Sequence, residues 1–200
     1  PPRAGAGPLS ARHRPTGVLL TAGLLLCGTL HAAAARIDRL EVDRSADAYR
    51  VAMEVSLDAP PDRVWGVLTD FARLGRLSPA FREVEVLAAP PRDLARVRTL
   101  TRFCVLVFCR DNEQVQDFRH PGPRTLSALV DPALSDLREG EAYWRLDPDG
   151  PGTRMHFRAR FVPDFWVPPL IGPWAIKRTL VHEAETVSAR LERIAREPAP

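Results

Sequence analysis

Cys104 and Cys109 in RFCVLVFCR (102–110) enclose four apolar residues, Val105 to Phe108. A thiol pair at such spacing can hold a metal, exchange electrons or close a bridge. In one extended strand the two would stand about 16 Å apart at roughly 3.3 Å per residue, beyond the ~7 Å Cα limit of a disulfide. A bridge therefore requires a turn, and VLVF as a four-residue hairpin loop sets the two cysteines opposite each other. Two reduced cysteines in a continuous strand are the alternative reading. The entropic gain from closing so short a loop is small, below the ~3 kcal/mol of a 15-residue loop.

Other reactive patterns are incomplete. His182-Glu183 begins an H-E-x-x-H, but Thr186 occupies the second histidine position, so no metal ligand set is predicted. The serines stand singly without a G-x-S-x-G elbow, which excludes a common hydrolase arrangement. His156, Glu54, Asp117, Glu141 and Asp164 have side chains suited to proton transfer, which needs a group buried with a shifted pKa. Sequence does not reveal which of them is buried, and no catalytic set is assigned. The glycines of DPDGPG (147–152) fall in turn chemistry rather than a phosphate loop, so no nucleotide or other cofactor is expected.

The elements that must position these groups follow from periodicity. RIDRLEVDR (36–44) and AYRVAMEVSLDA (48–59) alternate apolar with polar residues as half-buried strands, with SADA as a turn between them. APPDRVWGVLTDFARLGRLSP (59–79) switches to helical spacing, starts on Pro61 and Asp62, and predicts two short helices stopped by Pro79. Six strands are then predicted at 82–88, 94–103, 109–119, 124–130, 139–147 and 152–162, most separated by Pro, Gly and Asp. A long amphipathic helix is predicted over 174–196, with Ile176, Leu180, Ala184, Val187, Leu191 and Ile194 on one face.

Arg12 and Arg14 precede the apolar run GVLLTAGLLLCGTL (17–30) and then HAAAAR, the pattern of a secretory signal cut after Ala34 or Ala35. The run is shorter than the roughly 18–20 residues that span a bilayer. Cys27 follows Leu26 rather than the small residue a lipidation site needs. Residues 1–35 are therefore read as a signal peptide and 36–200 as a single domain that is periplasmic or secreted, where cysteine pairs oxidise. Removing Arg3, Arg12 and Arg14 leaves 25 basic against 25 acidic residues of the 28 and 25 in the whole chain. With no clustered basic excess, nucleic-acid binding is not expected.

The order of strand, two short helices, antiparallel strands and one long helix matches a helix-grip fold of the α+β class. In that fold a curved antiparallel sheet wraps a long C-terminal helix. VSLDAPPDRVWGVLTDFARLGRLSPAFREVEVL (55–87) and FWVPPLIGPWAIKRTLVHEAETVSARLE (165–192) resemble the START-like polyketide cyclase and lipid transport superfamily, also called SRPBCC, in its exported bacterial members. The resemblance covers the whole chain after the leader and describes a scaffold rather than a reaction.

What it implies is an internal cavity that binds a hydrophobic small molecule such as a lipid, sterol, quinone or polyketide, the quinone case matching the coenzyme-Q-binding branch. The candidate liners are Trp65, Phe71, Phe81, Trp144, Phe157, Phe161, Phe165, Trp166, Trp174, Ile176 and Leu180, each of which also serves as ordinary core filling. FWVPPLIGPW (165–174) reads either as a stiff apolar rim where a ligand enters or as a packed lid. Binding or carrying without catalysis is the leading expectation. One alternative is a cyclase or dehydratase-like enzyme using a cavity acid or His156. Another is a module that docks on a membrane or a partner protein through the apolar tip Val105 to Phe108. A transient membrane contact fits that tip, and the oligomeric state is left open.

Overall fold

The computed structural model describes residues 35–88, 94–105, 108–167 and 172–198. The expected leader lies outside them. Eight strands run Arg36–Ser45 (β1), Ala48–Leu57 (β2), Phe81–Ala88 (β3), Leu94–Val105 (β4), Phe108–Gly122 (β5), Thr125–Val130 (β6), Leu137–Asp149 (β7) and Gly152–Pro163 (β8). Between β2 and β3 come a helix, Pro61–Leu68 (α1), and a 3₁₀ segment, Phe71–Leu77; the chain's long helix is Gly172–Arg196 (α2). Each expected element is present, within a few residues of its predicted bounds. Among the described residues no helix is long and apolar enough to cross a membrane.

All strands pair antiparallel in one open curved sheet of order β1-β2-β8-β7-β6-β5-β4-β3. This is the helix-grip arrangement. The β1–β2 hairpin turns over Ala46 and Asp47, with Ala46 at φ 55°. Pro60 and Pro61 start α1, whose fixed backbone suits a first helical turn, and the Thr69 hydroxyl donates to the Trp65 carbonyl at 2.9 Å to close it. The second expected helix is a 3₁₀ segment interrupted at Arg73, whose φ of −117° is not helical. Asp70 holds it by ion pairs to Arg73 at 2.6 Å and Arg76 at 3.1 Å.

Alternation gives the sheet two faces. On β4 the odd positions Ala95, Val97, Thr99 and Thr101 face inward, and the even positions Arg96, Arg98 and Arg102 face out, where they pair with Asp117, Glu113 and Asp111 of β5. The scattered arginines are thus largely spent on cross-strand partners on a solvated surface. The core is in two clusters. In one, Leu191, Ile194 and Ala195 of α2 pack against Met53, Val55, Met155 and Leu146 of the sheet and Val64 of α1. In the other, Ala95, Val97, Phe118, Leu126 and Ala128 form a group on which Phe71 and Val84 pack. Trp65 and Trp144 pack against both.

The C-terminal half of α2 is pinned. Glu192, only 4% exposed, accepts the Asp58 backbone N–H at 2.7 Å, and Arg63 donates to the carbonyls of Ala195 and Glu197. Close by, the buried Thr153 hydroxyl donates to the Ala59 carbonyl at 2.6 Å.

Cys104 and Cys109 are directly paired across β4 and β5, Cα atoms 4.0 Å apart, and joined by a disulfide. The loop is shorter than the four residues anticipated. Val105 and Phe108 still pair with each other, so only positions 106 and 107 lie between the strands, and these lie outside the described residues.

Candidate functional site

The inner face of the sheet is built from rows of cross-strand neighbours. Val51, Ala159, Ala142, Ala128, Phe118 and Ala95 stand side by side across β2, β8, β7, β6, β5 and β4. Three consecutive alanines in the middle of that row leave depth above the backbone. One flank is Met53, Phe157, Trp144 and Leu126. The other begins with Tyr49 and Phe161, whose rings stack 5.5 Å apart, and continues to Gly140. A Cβ at Gly140 would run into the Val130 side chain, so glycine permits the close approach of β6 and β7 there.

Aromatic rings step across this trough. Phe71 meets Phe118 at 4.7 Å, Phe118 meets Trp144 at 6.3 Å, and Trp144 meets Phe157 at 5.1 Å, all tilted. Trp65 closes one end with its ring edge-on to His120 at 5.1 Å. Apart from Phe118, these rings are only half-buried although they face α2. Leu191, Ile194 and Ala195 of α2 pack with Met155 of β8 and Leu146 of β7, whereas Ile176 and Leu180, nearer its start, join neither cluster.

Of the anticipated liners, Trp65, Phe71, Trp144, Phe157 and Phe161 come together here. Ile176 and Leu180 are half-buried on the N-terminal half of α2, outside both core clusters. Phe81 lines a separate cleft between the 3₁₀ segment and β3 with Gly75, Arg76 and Val84. Phe165 lies under the Arg110 guanidinium at 4.3 Å. Trp166 and Trp174 are 78% and 57% exposed and do not join the aromatic row. The connector between them has no periodicity to show which way a ring points. Residues 168–171 lie outside the described residues.

The proton-transfer candidates face the other way. His156 alternates with the inward Met155 and Phe157, and its ring stands on the outer face between Glu54 at 3.7 Å and Asp147 at 3.3 Å. Glu141 and Asp117 line an outer groove of about 770 Å³ with Arg50, Arg119, Arg158 and Tyr143. Asp164 is exposed just past β8. By strand alternation no carboxylate stands on the sheet's inner face among the described residues. Nor does any group of three or more His, Cys, Asp and Glu there suit a metal ion.

Between the apolar rows and Arg110 at the end of β5, the inward side chains of β4 and β5 include a neutral polar group. Thr99, Thr101 and Asn112 are 5%, 7% and 6% exposed, and Gln116 donates to Gln114 at 3.0 Å beside them. Burial pushes the Tyr49 phenol above its ordinary pKa, so it remains a neutral hydroxyl. Phe118, Tyr49 and this amide and hydroxyl group were not anticipated from sequence. The signal was present in β5, where Asn112, Gln114, Gln116 and Phe118 carry no charge while the interleaved Asp111, Glu113, Asp117 and Arg119 do.

The family described as polyketide cyclase / dehydrase and lipid transport matches residues 48–197. The chain belongs to that family. This family's helix-grip scaffold recurs in solved structures. The aromatase/cyclase Zhui from Streptomyces sp. R1128 is 19% identical with a TM-score of 0.61, over 74% of this chain and 94% of that one. A START superfamily protein from Mycobacterium smegmatis is 16% identical with a TM-score of 0.59, over 72% and 98%. A STAR-related lipid transfer protein from Xanthomonas axonopodis is 18% identical with a TM-score of 0.54, over 78% and 99%. At these identities the likeness concerns the fold. No curated protein matches the chain.

Proposed function

We propose that this protein binds or carries a hydrophobic small molecule in the trough between its sheet and α2, without catalysing a reaction on it. The observation that carries the reading is the row of large aromatic rings left half-buried on the inner face of the curved sheet. Exposed apolar surface in a concave, largely preformed space is favourable for an apolar ligand, because binding removes it from water. The family's lipid transport and polyketide members support the same class of ligand. The outward placement of His156, Glu54, Asp117 and Glu141 favours binding over acid-base catalysis.

The same proposal sets the domain in an oxidising compartment after export. The secretory pattern of residues 17–35 and the directly opposed Cys104 and Cys109 support it.

Titration with N-phenyl-1-naphthylamine, an uncharged dye that fluoresces in apolar surroundings, tests the reading. A saturable, blue-shifted rise in emission at one dye per chain is expected. Emission that rises linearly without saturation contradicts it.

A further inference from the structure

Among the described residues three buried side-chain atoms have no hydrogen-bond partner: Tyr49 Oη, Arg76 Nε and Ser188 Oγ. Arg76 lies in the 3₁₀ segment, where its guanidinium already holds Asp70, and Ser188 lies on α2. Tyr49 is the one that stands on the sheet. It is 2% exposed, faces inward with Val51 and Met53, and belongs to neither core cluster. A buried tyrosine ordinarily finds a partner for its hydroxyl, because a water contact given up without replacement is costly. Phenylalanine would stack on Phe161 equally well without that cost, so packing alone does not account for a tyrosine here.

The register sets this hydroxyl beside the trough. Tyr49 pairs with Phe161 and Phe161 with Gly140, in the row next to Val51, Ala159, Ala142 and Ala128. Tyr49 and Ala159 thus stand on neighbouring strands one inward position apart, about 8 Å between Cα atoms at a ~4.8 Å strand spacing and ~3.3 Å per residue. A ligand over Ala159 and Ala142 therefore lies next to the phenol. The ring is held by its stack on Phe161 at 5.5 Å and by the Arg44 guanidinium 5.7 Å from its centre, which presents the hydroxyl in a fixed place. Because burial keeps the phenol protonated, the hydroxyl is a donor.

We infer that Tyr49 is a ligand-binding residue whose hydroxyl donates a hydrogen bond to an oxygen on the trough's ligand. The ligand is then an apolar ring or chain that carries a carbonyl, not a pure hydrocarbon. This inference rests on the binding reading above.

2-Acetylnaphthalene and 2-isopropenylnaphthalene share one shape and differ in a carbonyl oxygen against a methylene. In fluorescence titrations Tyr49→Phe is expected to lower affinity for the ketone about three- to tenfold, the range of a single hydrogen bond, and to leave the hydrocarbon unchanged. The C=O stretch of the bound ketone should lie at lower frequency in the parent than in the variant. Without ligand, the thermal midpoint of Tyr49→Phe should equal or exceed the parent's, since the variant keeps the ring and loses an unpaired hydroxyl. If neither compound binds the parent, the binding reading itself falls. If the hydrocarbon binds but Tyr49→Phe changes neither the ketone's affinity nor its stretch, Tyr49 does not touch the ligand. A lower midpoint for the ligand-free variant would show that the hydroxyl is satisfied within the protein, and would overturn the inference as well.

Discussion

Phe118→Ala is expected to lower the stability of the protein by about 3–5 kcal/mol, the range for truncating a buried phenylalanine. The ring is 6% exposed, sits in a cluster with Ala95, Val97, Leu126 and Ala128, and links Phe71 to Trp144. Its removal takes away the transfer free energy of the ring. It also opens a hole between strand and 3₁₀ segment that β4, β5 and β6, tied by ladder hydrogen bonds, cannot collapse to fill. Phe118→Leu keeps most of the volume and is expected to cost about 1.5 kcal/mol or less. Urea midpoints for the two variants measure the difference. Dye affinity should fall with Ala at a urea-free temperature where it is still folded, because the floor of the aromatic row is gone. Equal midpoints for Ala and Leu would show that Phe118 does not hold the second cluster together.

Leu191→Ala should cost about 2–5 kcal/mol, whereas Leu180→Ala, three turns earlier on the same stripe, should cost about 1 kcal/mol. Leu191 is wholly buried against β2, β8 and α1, while Leu180 is half-buried and outside both clusters. The asymmetry follows from where the helix is anchored. Glu192 and Arg63 fix its last turns to the loop after β2 and to α1. In its first turns Ile176 and Leu180 are half-buried and join neither cluster. Matched costs for the two leucines would mean that α2 packs evenly along its length and that the trough is closed.

Much of this fold was legible because strands and helices advertise themselves by different periods. Tyr49, Val51, Met53, Val55 and Leu57 alternate cleanly, and all five are buried along one face of β2. The turn between Cys104 and Cys109 was legible too, since one extended strand would hold them far apart, and the two stand opposite each other across β4 and β5. The loop between them was misjudged because an all-apolar stretch carries no turn residue to mark where the ladder stops, and the ladder runs on to Val105 and Phe108.

Faces were harder than elements. His156 was considered for the cavity although Met155 and Phe157, its apolar neighbours, already turn it outward. Trp166 and Trp174 were grouped with the liners on composition alone, and composition carries no direction in a proline-rich connector. The neutral stripe of β5 was overlooked because a search for chemistry looks for charges, while here the absence of charge at alternate positions marks the interior.

Ala142→Phe tests the central claim most directly. Ala142 stands in the middle of the alanine row, between Ala128 and Ala159. A phenylalanine there should fill the trough, leaving the thermal midpoint within about 5 °C of the parent, since the change amounts to about 1 kcal/mol or less if room exists. N-phenyl-1-naphthylamine should then bind at least about tenfold more weakly than to the parent. A folded variant that binds the dye as well as the parent would place the ligand elsewhere. A variant too overpacked to fold would show that the space beneath α2 was already full.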